Sequence, residues 1–259
     1  MMNHVQLGLG LIGIGRPWGY RPTETPGDGE ARSFLESAWR LGIRYYDTAA
    51  SYGASEERLG RFLKTLSPAE RAQLTIATKF GEHWDAAAGQ PYVDHSYAAL
   101  KASLDCSMER LGGIDVLQLH KTTPEVLRSA ELGRAWEYAA ALGIAVTGPS
   151  VSDLESARIA VESGYGVMQL PYHVEDTRFE AILDAAAGKG MQIVVNRPFA
   201  MGKIVYDGGP EGAFGRMVGA FRFILARRFD GVILSGTKSA GHLEENWRAF
   251  EEARGDTYG

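Results

Sequence analysis

The sequence predicts one α/β domain, a (β/α)8 TIM barrel that takes in residues 1–259. Three observations support this prediction. The length of 259 residues is the usual size of one such barrel. Amphipathic helices that end at glycine are followed within a few residues by β-branched or aromatic runs, and this junction recurs along the chain. Runs such as QIVVN and DGVIL are apolar on both faces, as expected of parallel strands covered by helices.

The pattern divides the chain into alternating strands and helices. The predicted strands are 7–14, 43–47, 74–79, 114–120, 144–150, 167–173, 191–199 and 231–235. The predicted helices are 29–41, 55–66, 95–111, 123–143, 152–163, 177–187 and 214–228. Asp28 is a suitable N-cap for the first helix, and Gly42 ends it. Pro124 favours a helix start after Thr123. The glycine-rich stretch 202–215 is predicted to be a loop.

Periodicity leaves a doubly wound open sheet as the alternative fold. Gly8, Gly10 and Gly13 match the G-x-G-x-x-G pattern that holds a dinucleotide pyrophosphate at the start of a helix. The residues that follow, IGRPWGYRP, contain glycines and prolines that oppose such a helix. We therefore interpret these glycines as part of an opening strand that packs tightly inside a barrel.

The composition opposes several classes of function. A net charge of -5 with interspersed signs gives no basic surface for nucleic acid or anionic lipid. The amino-terminal stretch MMNHVQLGLGLIGIG lacks the basic region and cleavage site of a signal peptide, and no run approaches the roughly 18 to 20 apolar residues of a membrane helix. The single Cys106 cannot form an internal disulfide, so we expect a cytoplasmic protein. The histidines show no paired ligand spacing, so no metal site is predicted.

Polar residues at the carboxyl ends of three successive strands are candidates for catalysis, because barrel enzymes place their chemistry there. Asp47 ends the second strand and Tyr52 lies in the loop after it. Lys79 ends the third strand, and His120 ends the fourth. A tyrosine, with an ordinary pKa of about 10, becomes a better acid beside an ammonium group. We expect Tyr52 to donate a proton with help from the other three residues.

The sequence around these residues resembles the aldo-keto reductases, and the resemblance extends along nearly the whole chain. The matching stretches are GIRYYDTAASYGASEERLG, IATKF, DVLQLHK, VMQLPYHVED and SGTKSAGHLEEN. The resemblance implies a catalytic tetrad of Asp47, Tyr52, Lys79 and His120, with Tyr52 as acid in reduction and base in oxidation. It also implies a monomer that binds NADPH, or NADH as the alternative, across the barrel mouth without a Rossmann unit.

The resemblance also implies a set of cofactor-binding residues. Those expected near the nicotinamide are Asp47, Ser150, Gln169 and Asn196, and Arg197 is expected to reach a phosphate. Those expected near the adenosine end are Ser235, Gly236, Thr237, Lys238, His242, Glu245 and Asn246.

This chain departs from the family pattern at several of these positions. Val151 stands where an asparagine often follows the carboxamide-binding serine, and Asn196 stands where many members stack an aromatic ring on the nicotinamide. The segment SGTKSAGH offers Lys238 where NADPH-selective members usually present an arginine. Lys238 can still meet a 2′-phosphate as a point charge, which favours NADPH. The chain is also shorter than typical members, chiefly after Met201.

Aromatic residues in the loops are candidates to line the substrate pocket, and they favour an apolar or ring-bearing substrate. These candidates are Trp18, Tyr20, His83, Trp84 and Tyr172. The sequence leaves three functions open. The first is reduction of an aldehyde or ketone, or the reverse oxidation. The second is a nonreductive dehydration or isomerisation on the same barrel, and the third is a cofactor-binding regulatory protein without useful turnover.

Overall fold

Parallel strands alternate with helices around a barrel in the computed structural model, which describes residues 4–20, 24–207, 209 and 211–258. The strands are β1 (Val5–Gly10), β2 (Tyr45–Asp47), β3 (Thr75–Phe80), β4 (Glu82–Asp85), β5 (Gln90–Val93), β6 (Val116–Leu119), β7 (Val146–Pro149), β8 (Val167–Pro171), β9 (Gln192–Asn196) and β10 (Gly231–Gly236). The helices are α1 (Ile12–Gly15), α2 (Asp28–Arg40), α3 (Ser55–Leu63), α4 (Pro68–Arg71), α5 (Tyr97–Leu111), α6 (Pro124–Leu127), α7 (Ala130–Ala141), α8 (Leu154–Ser163), α9 (Glu180–Gly188), α10 (Lys203–Tyr206), α11 (Ala213–Leu225) and α12 (Ala240–Tyr258).

Eight of these strands form the barrel, in the order β7-β6-β3-β2-β1-β10-β9-β8, and every neighbouring pair is parallel. The first and last strands of this order meet at a narrow seam. There Ser150 pairs with Gln169, and the Val151 N–H donates to the Gln169 carbonyl at 2.8 Å. The predicted (β/α)8 barrel is therefore confirmed, and the open sheet is not formed.

Gly8 allows close approach inside the barrel, as predicted for the opening strand, whereas Gly13 lies in α1 and not in that strand. A Cβ on Gly8 would lie 2.4 Å from Cγ1 of Val232. The side chains that fill this part of the interior are Tyr45, Ala77, Val116, Val167, Val194, Val232 and Leu234. The helices pack their apolar faces on the outside of the strands, as α2 does with its buried Phe34 and Leu35. Among the described residues, no helix is both long and apolar enough to cross a membrane.

Several predicted boundaries are wrong. β1 ends at Gly10 because residues 12–15 turn into the short helix α1. Asp28 is the first residue of α2, and the N-cap is Gly27, whose N–H donates to the Glu30 carboxylate at 2.8 Å. The Asp28 carboxylate pairs with Arg58 and Arg61 instead, each at 2.9 Å. β9 ends at Asn196, because Arg197 adopts a positive φ of 54° that a strand cannot continue.

Other elements were divided or missed. The predicted helix 123–143 is two helices, since Ser129 accepts a hydrogen bond from the Leu132 N–H at 3.2 Å and so caps a new start. The stretch predicted as a loop contains α10 and the beginning of α11. The antiparallel hairpin β4–β5 and the final helix α12 were not predicted.

Candidate active site

The four ionisable residues predicted to act together lie at the carboxyl edge of the barrel. Lys79 donates a hydrogen bond to the Asp47 carboxylate and another to the Thr48 carbonyl at 2.9 Å. The ammonium nitrogen of Lys79 lies 5.0 Å from the ring centroid of Tyr52. The rings of Tyr52 and His120 meet edge to face with their centroids 5.9 Å apart. The fold thus brings the four side chains into one cluster.

The loop that carries Tyr52 is fixed against the loop after β1. The Tyr52 N–H donates to the Ala49 carbonyl at 3.0 Å, and the Ser55 hydroxyl donates to the Leu11 carbonyl at 3.0 Å. Gly15 lies so close that a Cβ there would stand 1.7 Å from the Tyr52 carbonyl oxygen. The two loops are therefore positioned together, and residues next to Gly15 lie beside the tyrosine.

A buried hydrogen-bond network surrounds the Asp47 carboxylate. Oδ1 accepts from Lys79, and Oδ2 accepts from the side-chain amides of Gln118 and Gln169, each at 3.0 Å. Asn196 in turn donates to the Gln169 side chain at 3.0 Å. We call these five residues the Asp47 network. Each comes from a different barrel strand, so the network ties β2, β3, β6 and β8 together through the carboxylate, and β9 through Gln169.

Gln118 is a member of this network that the sequence reasoning missed. It is fully buried in β6 between apolar neighbours. The available signal was an amide in the middle of the run VLQL, since a buried polar group needs a partner.

The protonation states around Tyr52 suit proton donation near neutral pH. Burial raises the pKa of the Tyr52 hydroxyl, and this outweighs the nearby Lys79 ammonium, which lowers it. Burial lowers the pKa of Lys79, but Asp47 and Tyr52 outweigh it and hold that pKa above its ordinary value. Lys79 is therefore a cation and Tyr52 keeps its proton. The expected lowering by Lys79 is present, although it does not set the net direction.

Glu82 is a second residue that the sequence reasoning missed. Its buried carboxylate accepts from the Ser51 hydroxyl at 2.6 Å and lies 3.1 Å from His120 Nδ1, 3.3 Å from Lys121 Nζ and 3.7 Å from Arg16. We call these five residues the Glu82 cluster. Burial alone would raise the pKa of Glu82, but hydrogen bonds from His120 and Ser51, with the charge of Lys121, lower it to about 2.

Glu82 fixes the tautomer of His120. Because the carboxylate is ionised, the proton of a neutral imidazole resides on Nδ1 and Nε2 is left as an acceptor. Burial lowers the pKa of His120, with Lys79 and Lys121 adding to that effect and Glu82 opposing it. Donation from Nε2 to a substrate oxygen therefore requires the imidazolium form, for which Glu82 supplies the countercharge.

Replacing Glu82 with glutamine is expected to lower the free energy of unfolding at pH 7 by about 3 kcal/mol. The carboxyl group has an ordinary pKa of 4.5 and a folded pKa of about 2. A depressed pKa stabilises the fold above the unfolded value, and this stabilisation is lost as the pH falls through the folded value. The difference between wild type and Glu82→Gln should therefore shrink between pH 4.5 and 2 in urea titrations.

The exposed Glu137 on α7 provides the matched control for this titration. Glu137→Gln should be within about 0.5 kcal/mol of wild type at each pH, as is usual for surface substitutions. An undiminished difference at low pH for Glu82→Gln would contradict the electrostatic explanation.

The predicted pocket residues divide into those near the site and those buried elsewhere. Trp84 lies half-buried in β4 with the guanidinium of Arg16 5.6 Å from its ring. His83 is buried, and its Nε2 bonds the Asp94 carbonyl at 2.9 Å, so it braces the hairpin β4–β5. The prediction for Tyr172 is wrong. Its side chain is fully buried in the core and stacks on a phenylalanine of α11, so it cannot line a pocket.

Trp18 and Tyr20 lie at the surface, 44% and 45% exposed. The Tyr20 N–H donates to the Met201 carbonyl at 3.0 Å, and the Arg197 guanidinium lies 5.9 Å from the Trp18 ring. The segment after β1 therefore meets the segment after β9 at the barrel mouth.

Of the residues expected near a nicotinamide, Asp47, Gln169 and Asn196 belong to the Asp47 network and Ser150 lies beside it. The Ser150 hydroxyl donates to Gln169 at 3.5 Å. The Oε1 of Gln118 and the Oδ1 of Asn196 are buried, and neither has a hydrogen-bond partner among the residues that the structure describes. These orphaned carbonyl oxygens, with the neighbouring amides, fit the donor and acceptor atoms of a carboxamide.

The residues expected at the adenosine end follow β10. The Asn246 side chain is buried and donates to the Ser235 hydroxyl at 2.8 Å. Lys238 donates to the Glu24 carbonyl, and His242 and Glu245 lie exposed on α12. Gly236, the last residue of β10, is exposed, and Thr237, which follows it, is half-buried. This segment offers one lysine cation at an open surface, which fits a phosphate-bearing group.

Comparisons with known proteins agree with the barrel fold. A model of the Aldo/keto reductase family matches residues 6–217. The chain is 26% identical to the L-galactose dehydrogenase of Arabidopsis thaliana, over 86% of this chain and 78% of that one. It is 25% identical to aldo-keto reductase yakc of Schizosaccharomyces pombe, whose name carries NADP(+), over 95% and 83%. An aldo-keto reductase structure from Bacillus halodurans, 24% identical, superposes with a TM-score of 0.80 over 97% and 90%, and shows the shared fold.

Proposed function

The chain belongs to the aldo/keto reductase family, and from this premise we propose that it reduces an aldehyde or ketone with NADPH, or oxidises the alcohol in reverse. It is an oxidoreductase that acts on carbonyl or alcohol groups. The observation that carries the finer proposal is the buried pair of Lys79 and Asp47 next to the Tyr52 ring. A tyrosine beside a buried ammonium is the arrangement that a proton donor to a carbonyl oxygen needs.

In this proposal the protein residues supply the proton and the cofactor supplies the hydride. Tyr52 donates its hydroxyl proton to the carbonyl oxygen, and Lys79 stabilises the tyrosinate that remains. Asp47 keeps Lys79 charged and oriented. The His120 ring meets the Tyr52 ring edge to face, and in its imidazolium form it would donate from Nε2 to the same oxygen. In the reverse direction the tyrosinate accepts the proton of the alcohol.

NADPH is the preferred cofactor in the proposal. Ser150, Gln169 and Asn196 would hold the carboxamide, and Lys238 would meet the 2′-phosphate as a point charge. The name of the yeast relative, which carries NADP(+), supports the same choice. NADH is the alternative cofactor, and it lacks the 2′-phosphate. A higher activity with NADPH than with NADH would therefore support the proposed contact of Lys238 with that phosphate.

We also propose that the enzyme acts as a cytoplasmic monomer on small molecules and not on nucleic acid. The support for this is the net charge of -5, the single Cys106 and the family resemblance.

The proposal is tested by loss of reduced-nicotinamide absorbance over a panel of aldehydes and ketones, with NADPH and separately with NADH. We expect wild type to turn over and Tyr52→Phe to lose about 10²- to 10⁴-fold in kcat while it still binds NADPH. Tyr46→Phe is the matched control, since its buried hydroxyl has no hydrogen-bond partner among the described residues.

Three outcomes would replace the proposal. Product formed without net NADPH consumption would indicate a dehydration or isomerisation. Cofactor binding with no turnover of any substrate would indicate a regulatory protein. Absence of cofactor binding would also overturn the assignment of the nicotinamide site.

A further inference from the structure

Arg16 is a nearly buried guanidinium that makes no hydrogen bond with any residue in the described part of the chain. Its side chain is 13% exposed, and its Nε is buried without a partner. The nearest carboxylate oxygen belongs to Glu82 and stands at 3.7 Å, beyond hydrogen-bond distance. A guanidinium carries five N–H donors, and leaving a buried donor unpaired is costly. These donors are therefore available to a ligand.

The guanidinium lies in the candidate active site. Its central carbon is 5.7 Å from the ring centroid of Tyr52 and 5.6 Å from that of Trp84. The preceding Gly15 packs directly on the Tyr52 backbone, so the position of Arg16 relative to the tyrosine is fixed by main-chain contact. Arg16 is thus close enough to Tyr52 for one small molecule to contact both side chains.

The charges around Arg16 favour an anionic ligand. The Asp47 carboxylate is balanced by Lys79. The single charge of Glu82 faces two cations, Arg16 and Lys121, as well as His120. The Glu82 cluster therefore keeps one unbalanced positive charge when His120 is neutral. The planar guanidinium fork matches the two oxygens of a carboxylate, or those of a phosphate, better than it matches a neutral group.

We propose that Arg16 binds the anionic group of the substrate, so that the enzyme prefers carbonyl compounds that also carry a carboxylate or a phosphate. This inference rests on the proposed carbonyl reductase function, since it names the substrate class of that site. Trp84 forms the aromatic wall beside the guanidinium, which reduces its contact with water and strengthens its interaction with an anion.

The test compares succinic semialdehyde with its neutral methyl ester. The measured quantity is the ratio of kcat/KM for the acid to that for the ester. We expect wild type to favour the acid and Arg16→Leu to lower the ratio by about 10- to 100-fold, because charge-assisted hydrogen bonds are lost. Arg16→Lys should retain part of the ratio, since it keeps the charge and loses the fork. Arg32→Leu, which removes an exposed arginine from α2, should keep the wild-type ratio.

Glyceraldehyde phosphate compared with glyceraldehyde distinguishes phosphate from carboxylate as the anionic group, and preference for either supports the inference. An unchanged ratio for both pairs in Arg16→Leu would overturn it. A weaker NADPH Kd in Arg16→Leu with both ratios unchanged would assign Arg16 to the cofactor instead and would also overturn it.

A binding measurement separates this inference from the proposed function. Butyrate and neutral butyramide are titrated against tryptophan fluorescence, which Trp84 reports from the site. Loss of butyrate binding in Arg16→Leu would support the anion site even if no carbonyl compound were turned over. Equal binding of butyrate by wild type and Arg16→Leu would overturn the anion site even if turnover were observed.

Discussion

Replacing Lys79 with methionine is expected to lower the free energy of unfolding by about 3–5 kcal/mol and to reduce turnover at least as far as the loss of the Tyr52 hydroxyl. The Lys79 side chain is fully buried, and its ammonium is the cation that bonds Asp47. Methionine fills a similar volume but leaves the buried Asp47 carboxylate without its cation and with only neutral amides as donors. The same change removes the cation beside Tyr52, so folding and proton transfer should fail together.

Two causes of the lost stability, the uncompensated charge of Asp47 and altered packing, are separated by urea denaturation. The experiment compares the single variant Lys79→Met with the double variant that also carries Asp47→Asn. The double variant has no charge left at the site of this buried pair, so we expect it to recover at least half of the lost free energy of unfolding. It should remain without turnover, because the cation is still missing. Equal instability of both variants would show that packing and not uncompensated charge caused the loss.

Gly148→Ala is expected to destabilise the barrel by about 3 kcal/mol or more, because the new methyl group would overlap with main chain. A Cβ at Gly148 would stand 1.7 Å from the Val167 carbonyl oxygen and 2.8 Å from its carbon. Main chain cannot rotate away as a flexible side chain does. The overlap falls at the narrow seam between β7 and β8, where only a few hydrogen bonds close the barrel.

Gly133→Ala is the matched control, since Gly133 lies in the exposed surface of α7 with no atom within 4 Å of the new Cβ. It should stabilise the protein by about 0.5–1 kcal/mol, as alanine usually does in a helix. The midpoint of urea unfolding, with its slope, measures both changes. A Gly148→Ala midpoint equal to that of wild type would mean that the seam can widen without cost.

Much of the fold was predictable because each helix and strand carries its own local signals. Glycines such as Gly112 and Gly164 end helices in the left-handed conformation, and the strands that follow are apolar. The alternation then requires parallel strands whose carboxyl ends share one edge. For this reason the sequence alone predicts that Asp47 and Lys79 lie close together.

The remainder depended on contacts between distant parts of the chain. Glu82 is 38 residues from its partner His120, and no local pattern pairs them. Arg16 closely follows the G-x-G-x-x-G pattern of residues 8–13, which is typical of a dinucleotide site and gives no indication of an arginine beside Tyr52. Tyr172 is an aromatic residue that follows a strand, as a pocket residue would be. The sequence does not distinguish an aromatic ring that stacks in the core, as this one does, from one that faces a cleft. The hairpin β4–β5 was not predicted because each strand has only four residues, neither carries an apolar run, and β5 is fully exposed.

The division of the site between strands and loops has a consequence for how the protein can change over generations. The Asp47 network is built from five strands and is buried, so few substitutions there would be tolerated. Arg16 and Trp18 lie in the segment after β1, and Trp84 lies on a separate hairpin. Selection, natural or in the laboratory, can therefore alter which molecules are accepted by mutating these outer residues while the proposed proton-transfer residues stay unchanged.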